Sequence, residues 1–192
     1  KQALANQLAV APSQITLGNG SNDVLELITR AFVRPGQGVI VSQHSFAVYT
    51  LAAKSVGANL QVVPAINWGH DLDGMAEVVD SETRIIFIAN PNNPTGTWVS
   101  RDSLIDFLDS IPKHVLVVLD EAYFEYVEEE SYPDGIQLLS HYPGLIVTRT
   151  FSKIHGLAGL RVGYSVSSSK ISEILNRVRQ PFNVNVLGNV AA

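Results

Sequence analysis

The stretch "TRIIFIANPNNPTG", residues 83–96, joins a run of β-branched and aromatic residues to a loop crowded with asparagine and proline. A strand with one wet face alternates polar and apolar residues. This run instead carries Ile85, Ile86, Phe87 and Ile88 in succession, as expected of a strand covered on both faces of a mainly parallel sheet. Its last eight residues hold two prolines, three asparagines and a glycine, which make a tightly held loop. A plain turn explains the prolines but does not require so many fixed amides.

Similar runs recur on both sides of this one: 14–18, 38–42, 59–65, 114–120, 144–150 and 161–167. Between them lie segments of helical period at 21–32, 46–57, 72–80, 100–111 and 167–180. In the first of these Val24, Leu25, Leu27, Ile28 and Phe32 share a face behind a Ser or Asn cap. Strand and helix exchanging this regularly predict an α/β fold, a three-layer α/β/α sandwich with a mainly parallel, seven-stranded sheet. The segment "EEESYPDG" (128–135) is the one clearly polar loop, and no repeat or interdomain linker interrupts 1–192.

The 192 residues, 46% of them hydrophobic, suffice for one sizeable core, and a net charge of −5 without a basic stripe argues against nucleic acid. The absence of cysteine excludes disulfides and thiolate metal sites and is compatible with a reducing, cytoplasmic location. No apolar run approaches the roughly 20 residues that cross a bilayer. The five histidines have no metal-ligand spacing, so no metal is expected. The first residues read as the last turns of a helix and the final ones stop in apolar sequence, so a piece of a longer chain is expected.

In open α/β sheets ligands gather where strands end and helices begin, and the unusual residues sit at such places. "LGNGSND" (17–23) is a glycine turn, with Gly20, Ser21 and Asn22, that suits either an anion or an ordinary capped helix. "QHSFAVY" (43–49) places Phe46 and Tyr49 after a strand, for covering a flat ring or for core packing. Asn93 lies in the asparagine-rich loop. "VLVVLDEAYFEY" (115–126) ends a strand in Asp120, either a buried carboxylate that needs partners or a helix cap, with Tyr123 three residues on. Finally, "TRTFSKIHGLAGLRVGYSV" (148–166) sets Thr150, Ser152, Lys153 and Arg161 in an apolar, glycine-dotted segment. A lysine desolvated by Phe151, Ile154, Leu157, Ala158 and Leu160 would lose basicity, and its neutral amine can attack a carbonyl. The two hydroxyls and the guanidinium suit a phosphate dianion.

An amine, a buried carboxylate, a phenol, an amide, an aromatic face and an anion cradle are together what pyridoxal 5′-phosphate requires. On "GNGSND", "HSFAVY", "NPNNPTG", "DEAYFEY", "TFSKIHGLAGLRVGY" and "RQPFNVN", in this order, the sequence resembles the fold-type I aminotransferases, most closely their histidinol-phosphate branch. The resemblance implies Lys153 as Schiff-base lysine and proton carrier, Asp120 as partner of the pyridine nitrogen, and Asn93 and Tyr123 as donors to the phenolic oxygen. It implies Phe46 as the ring cover, and Gly20, Ser21, Asn22, Thr150, Ser152 and Arg161 as the phosphate cup. Asp23 stands where the family often has Glu, a departure that concerns helix capping.

It further implies that 1–192 is the cofactor-binding large domain of a homodimeric enzyme of histidine biosynthesis. The substrate-gripping arginine would lie in a C-terminal small domain, so no residue here takes that role, and Arg177 and Arg179 are expected to be solvated. Aromatic aminotransferases and a threonine-phosphate decarboxylase share the scaffold. A non-catalytic pyridoxal-phosphate module fused to a DNA-binding domain is the alternative of another class.

Overall fold

A computed structural model describes residues 1–192. Its elements are α1 (Gln2–Leu8), β1 (Ile15–Asn19), α2 (Ser21–Phe32), β2 (Gly38–Ser42), α3 (Ala47–Ser55), β3 (Asn59–Val63), α4 (Leu72–Glu77) and β4 (Thr83–Ala89). They continue with α5 (Arg101–Ser110), β5 (Leu116–Asp120), α6 (Gly135–Leu138), β6 (Leu145–Thr150), β7 (Val162–Ser167), α7 (Ser169–Val178) and α8 (Val186–Ala191). All seven expected strands join one sheet in the order β1-β7-β6-β5-β4-β2-β3. β7 runs against its two neighbours and every other pairing is parallel.

The apolar run of β4 divides by parity. Ile86 and Ile88 enter the core shared with Met75, Leu104 and Phe107 of α4 and α5. Ile85, Phe87 and Ala89 enter the opposite core, with Leu25 and Ile28 of α2, Tyr49 of α3 and Leu175 of α7. Successive strand side chains point to opposite faces, so an unbroken apolar run feeds two cores at once. The result is the expected three-layer sandwich.

Ends differ where capping wins over pattern. The helix expected over 72–80 starts from an Asp71 carboxylate that accepts the Gly74 N–H at 3.0 Å. It stops at Glu77, and the Asp80 carboxylate then ties the Thr83 N–H at 2.8 Å to launch β4. The polar loop 128–135 is not simply solvated, since Pro133 and Gly135 are buried within it. Helix α8 escaped the hydrophobic pattern because Val186, Leu187 and Val190 face outward rather than into either core.

One close approach places the future site. Gly18 and Gly163 are directly paired between β1 and β7. A methyl group on Gly163 would lie 2.2 Å from the Ser21 nitrogen, so only glycine lets the first turn of α2 descend onto the sheet. Gly163→Ala is therefore expected to cost about 1–3 kcal/mol through overpacking, lowering the melting temperature by roughly 2–4 °C per kcal/mol. An unchanged melting temperature would show that α2 can retreat freely.

Candidate active site

The strand ends converge on a cleft of about 160 Å³ lined by Ser21, Asn22, Phe46, Tyr49, Asn93, Asp120, Tyr123, Thr150, Ser152, Lys153 and Arg161, among others. The last residues of β5 and β6, the turns after β2, β4, β5 and β6, and the first turns of α2 and α3 supply all of these except Arg161, which precedes the reversed strand β7 and so lies at the same edge. A groove of about 650 Å³ between the asparagine-rich loop and residues 126–129 adjoins it, sharing Pro91, Asn93 and Tyr123. Of the residues that the resemblance assigns to the cofactor, Gly20 alone does not border the cleft. It stands behind Arg161: a β-carbon there would meet the guanidinium Nη2 at 2.5 Å.

One end of the cleft is an anion cradle. Residues Ser21 and Asn22 open the twelve-residue helix α2, which has no side-chain cap, so their N–H groups are free to point at a ligand. Arg161 donates from Nη1 to the Ala158 carbonyl at 3.0 Å and, weakly, to Ser152 Oγ at 3.4 Å, and it has no carboxylate partner. The Thr150 hydroxyl is more engaged than the sequence suggested, accepting the Ser152 N–H at 3.1 Å within the turn. Asp23 ties the turn from outside, accepting the Asn19 N–H and the Asn183 amide, each at 2.9 Å.

At the floor lies Asp120, which is buried and not a helix cap. Tyr49 donates its hydroxyl to Oδ2 at 2.7 Å, and Thr148 donates to Oδ1 at 2.9 Å. Burial pushes this carboxyl up from its ordinary value, against the pull of those hydrogen bonds, the Ala122 N–H and the Lys153 charge. Burial and the adjacent carboxylate likewise hold the Tyr49 phenol well above its usual range. Tyr49 also stacks on Phe87 at 4.7 Å and meets the edge of Phe46 at 5.8 Å. In the sequence Tyr49 reads only as an aromatic, and nothing local marks Thr148. The direct Asp120–Thr148 pairing of β5 and β6 would have exposed the latter.

Lys153 corrects an expectation. Its side chain is exposed, so the apolar residues that flank it in sequence do not enclose it. Ile154 turns outward at 44% exposure, and Gly156, at φ +69°, carries the chain away. The nearest feature of note is the Tyr123 ring, whose centroid lies 4.9 Å from Nζ. Both Tyr123 and Asn93 are half-buried at the rim.

Beneath the floor, on the other face of the sheet, Arg149 donates from Nε and Nη2 to Glu121 Oε2 at 2.9 and 2.7 Å, and from Nη2 to Asp134 at 2.7 Å. Breaking such a buried pair costs about 3–5 kcal/mol. His155, expected in a loop or packing role, packs at a tilt against Phe151 with ring centroids 5.1 Å apart and faces Glu125 at 3.6 Å. No group of acidic and histidine side chains is placed to hold a metal ion. Arg177 is exposed as expected, whereas Arg179 is half-buried, donating to Asn176 at 3.1 Å and to Asn183 at 3.2 Å. No helix is long and apolar enough to cross a membrane.

Among known proteins, the chain is 57% identical over 192 residues to histidinol-phosphate aminotransferase 2 of Pseudomonas fluorescens Pf0-1, covering all of this chain and 52% of that protein. The Pseudomonas aeruginosa protein of the same name is 55% identical, with the same coverage. The chain thus spans about half the length of the curated relatives it matches. Among solved structures, histidinol-phosphate aminotransferase from Sinorhizobium meliloti, in complex with pyridoxal-5′-phosphate, superposes with a TM-score of 0.93 at 33% identity, over 99% of this chain and 52% of that one. L-threonine-O-3-phosphate decarboxylase from Porphyromonas gingivalis superposes at 0.85 with 26% identity, over 99% of this chain and 58% of that one. The model of aminotransferase class I and II matches residues 1–192, and the chain belongs to that family.

Proposed function

We propose that residues 1–192 are the cofactor-binding large domain of a pyridoxal-phosphate-dependent transaminase. It moves the amino group of L-histidinol phosphate to 2-oxoglutarate, giving imidazole-acetol phosphate and L-glutamate in histidine biosynthesis. The observation that carries this reading is one cleft holding a free amine, a buried carboxylate and a carboxylate-free arginine beside a helix N-terminus, in a chain 57% identical to a histidinol-phosphate aminotransferase.

The residues fit the cofactor. Asp120 is a buried carboxylate with neutral donors and a raised pKa, the environment that a protonated ring nitrogen would relieve. The missing side chain of Gly20 leaves Arg161 room at the N-terminus of α2, where a phosphate dianion is favoured. Pyridoxal phosphate bound there would supply an electron sink for removal of a substrate α-proton. The chain's own residues would do the rest: Lys153 Nζ would hold the cofactor through its aldehyde carbon, with loss of water, and carry the α-proton, while Asp120 would keep the ring nitrogen protonated. Asn93 and Tyr123 would donate to the phenolic oxygen, and Phe46 would cover the ring. Ser21, Asn22, Thr150, Ser152 and Arg161 would enclose the phosphate, with Gly20 behind them. We further propose a cytoplasmic homodimer.

The test is comparative turnover by the full-length protein on histidinol phosphate, phenylalanine and threonine phosphate with 2-oxoglutarate. Fastest turnover of histidinol phosphate is the expected result, and none at all would sink the assignment. Carbon dioxide release from threonine phosphate would favour the decarboxylase reading that the Porphyromonas gingivalis likeness raises.

A further inference from the structure

We propose that Glu121, Arg149 and Tyr132, none of which borders the cleft, form a positioning assembly that fixes where Asp120, Tyr123 and Asn93 stand. The inference rests on the cofactor reading above and concerns residues to which that reading gives no part. Asp120 and Glu121 are consecutive carboxylates sent to opposite faces of the sheet. The first meets Tyr49 and the second Arg149. Arg149 sits between Thr148, which donates to Asp120, and Thr150, which borders the cleft. Its two hydrogen bonds to Glu121, together with the bond from the Glu121 N–H to the Thr148 carbonyl at 2.8 Å, pin the ends of β5 and β6 to each other.

The same guanidinium lies 3.7 Å above the ring of Phe124, the residue after Tyr123. Tyr132 packs on Phe124 and Trp98, both at 5.9 Å, and donates its hydroxyl to the Asn90 carbonyl, where the asparagine-rich loop begins. One assembly, buried at Glu121 and Arg149, therefore grips the ends of β4, β5 and β6, at or just beyond which Asn93, Asp120 and Lys153 stand. A buried ion pair stabilises no better than well-packed apolar residues of the same volume. Two hydrogen bonds from a planar fork do impose an orientation that apolar packing would leave loose.

The experiment compares Tyr132→Phe and Arg149→Lys with wild type in the full-length protein. It uses amide hydrogen exchange without cofactor, the Kd for added pyridoxal 5′-phosphate, and the pH midpoint of the bound cofactor's visible absorbance. Protected amides at Asn92, Gly96 and Phe124 report the two loops. We expect exchange there to quicken by about tenfold in Tyr132→Phe, the scale of one lost hydrogen bond, while the β2–β3 edge is unchanged. The Kd should rise by a similar factor, and the midpoint should move upward as Tyr123 and Asn93 lose their hold on the phenolic oxygen. Arg149→Lys, which keeps the charge but not the fork, should act more strongly. If it does not fold, Tyr132→Phe decides, since it removes a single hydroxyl. Uniformly faster exchange would reduce the assembly to general stability and overturn the proposal, as would unchanged exchange and Kd. If wild type itself fails to bind the cofactor, the cofactor reading falls, and the exchange pattern alone still decides whether these residues position the loops.

Discussion

Lys153→Ala is expected to lower turnover of the full-length protein by on the order of 10^4-fold, the upper scale for loss of a positioned proton-transfer group, and to leave the melting temperature of the cofactor-free protein essentially unchanged. The two halves of that result have separate causes. The Lys153 side chain makes no hydrogen bond or ion pair to the rest of the chain, and the Tyr123 ring centroid lies 4.9 Å from its Nζ. An exposed side chain so placed contributes within about 0.5 kcal/mol of nothing to stability. Its amine nevertheless shares a cleft with Asp120 and Arg161, and the proposed function gives it the part of nucleophile and proton carrier. Borohydride reduction after adding pyridoxal 5′-phosphate, followed by digestion and mass spectrometry, gives the matching chemical test. A single adduct on Lys153, absent from the variant, is expected. Labelling scattered over surface lysines in the full-length protein would refute the assignment.

The exposure of Lys153 also marks where sequence stops informing. Its neighbours Phe151, Ile154 and Leu160 are apolar, but adjacency along a chain does not enclose a side chain. The turn at Gly156 and the outward face of Ile154 undo the inference. Strands were legible because burial on both faces leaves a local signature, as Ile85 to Ile88 show. The ring of cleft residues was legible because each follows or precedes a strand end. The partners of Asp120 were not, since Tyr49 lies 71 positions away and Thr148 28. Only the docking of α3 and the register of β5 on β6 bring them together. Composition likewise marked 128–135 as polar loop, whereas Tyr132 and Asp134 are drawn into the assembly around Arg149.

Asp120→Asn separates what the carboxylate does for the fold from what it does for the cofactor. The amide oxygen can still accept from Tyr49 or Thr148, and the buried charge is gone. Because burial raises the folded pKa of Asp120 above its ordinary 3.8, the unfolded chain ionises first as pH climbs. The stability this group contributes is full below the ordinary value and is lost as pH rises through the folded one. Cofactor-free wild type should therefore lose ground to Asp120→Asn from acid to neutral pH in thermal unfolding, and Glu121, present in both, cancels in the comparison. Wild type gaining on the variant over that range would mean that its donors more than offset desolvation, and that no cation is wanted. With pyridoxal phosphate bound the order should reverse, since only the carboxylate can pair with a protonated ring nitrogen. Turnover should fall by roughly 10²–10³-fold, the scale of one lost preorganised electrostatic contact. An Asp120→Asn enzyme as fast as wild type would remove Asp120 from the chemistry and leave its burial without a functional cause.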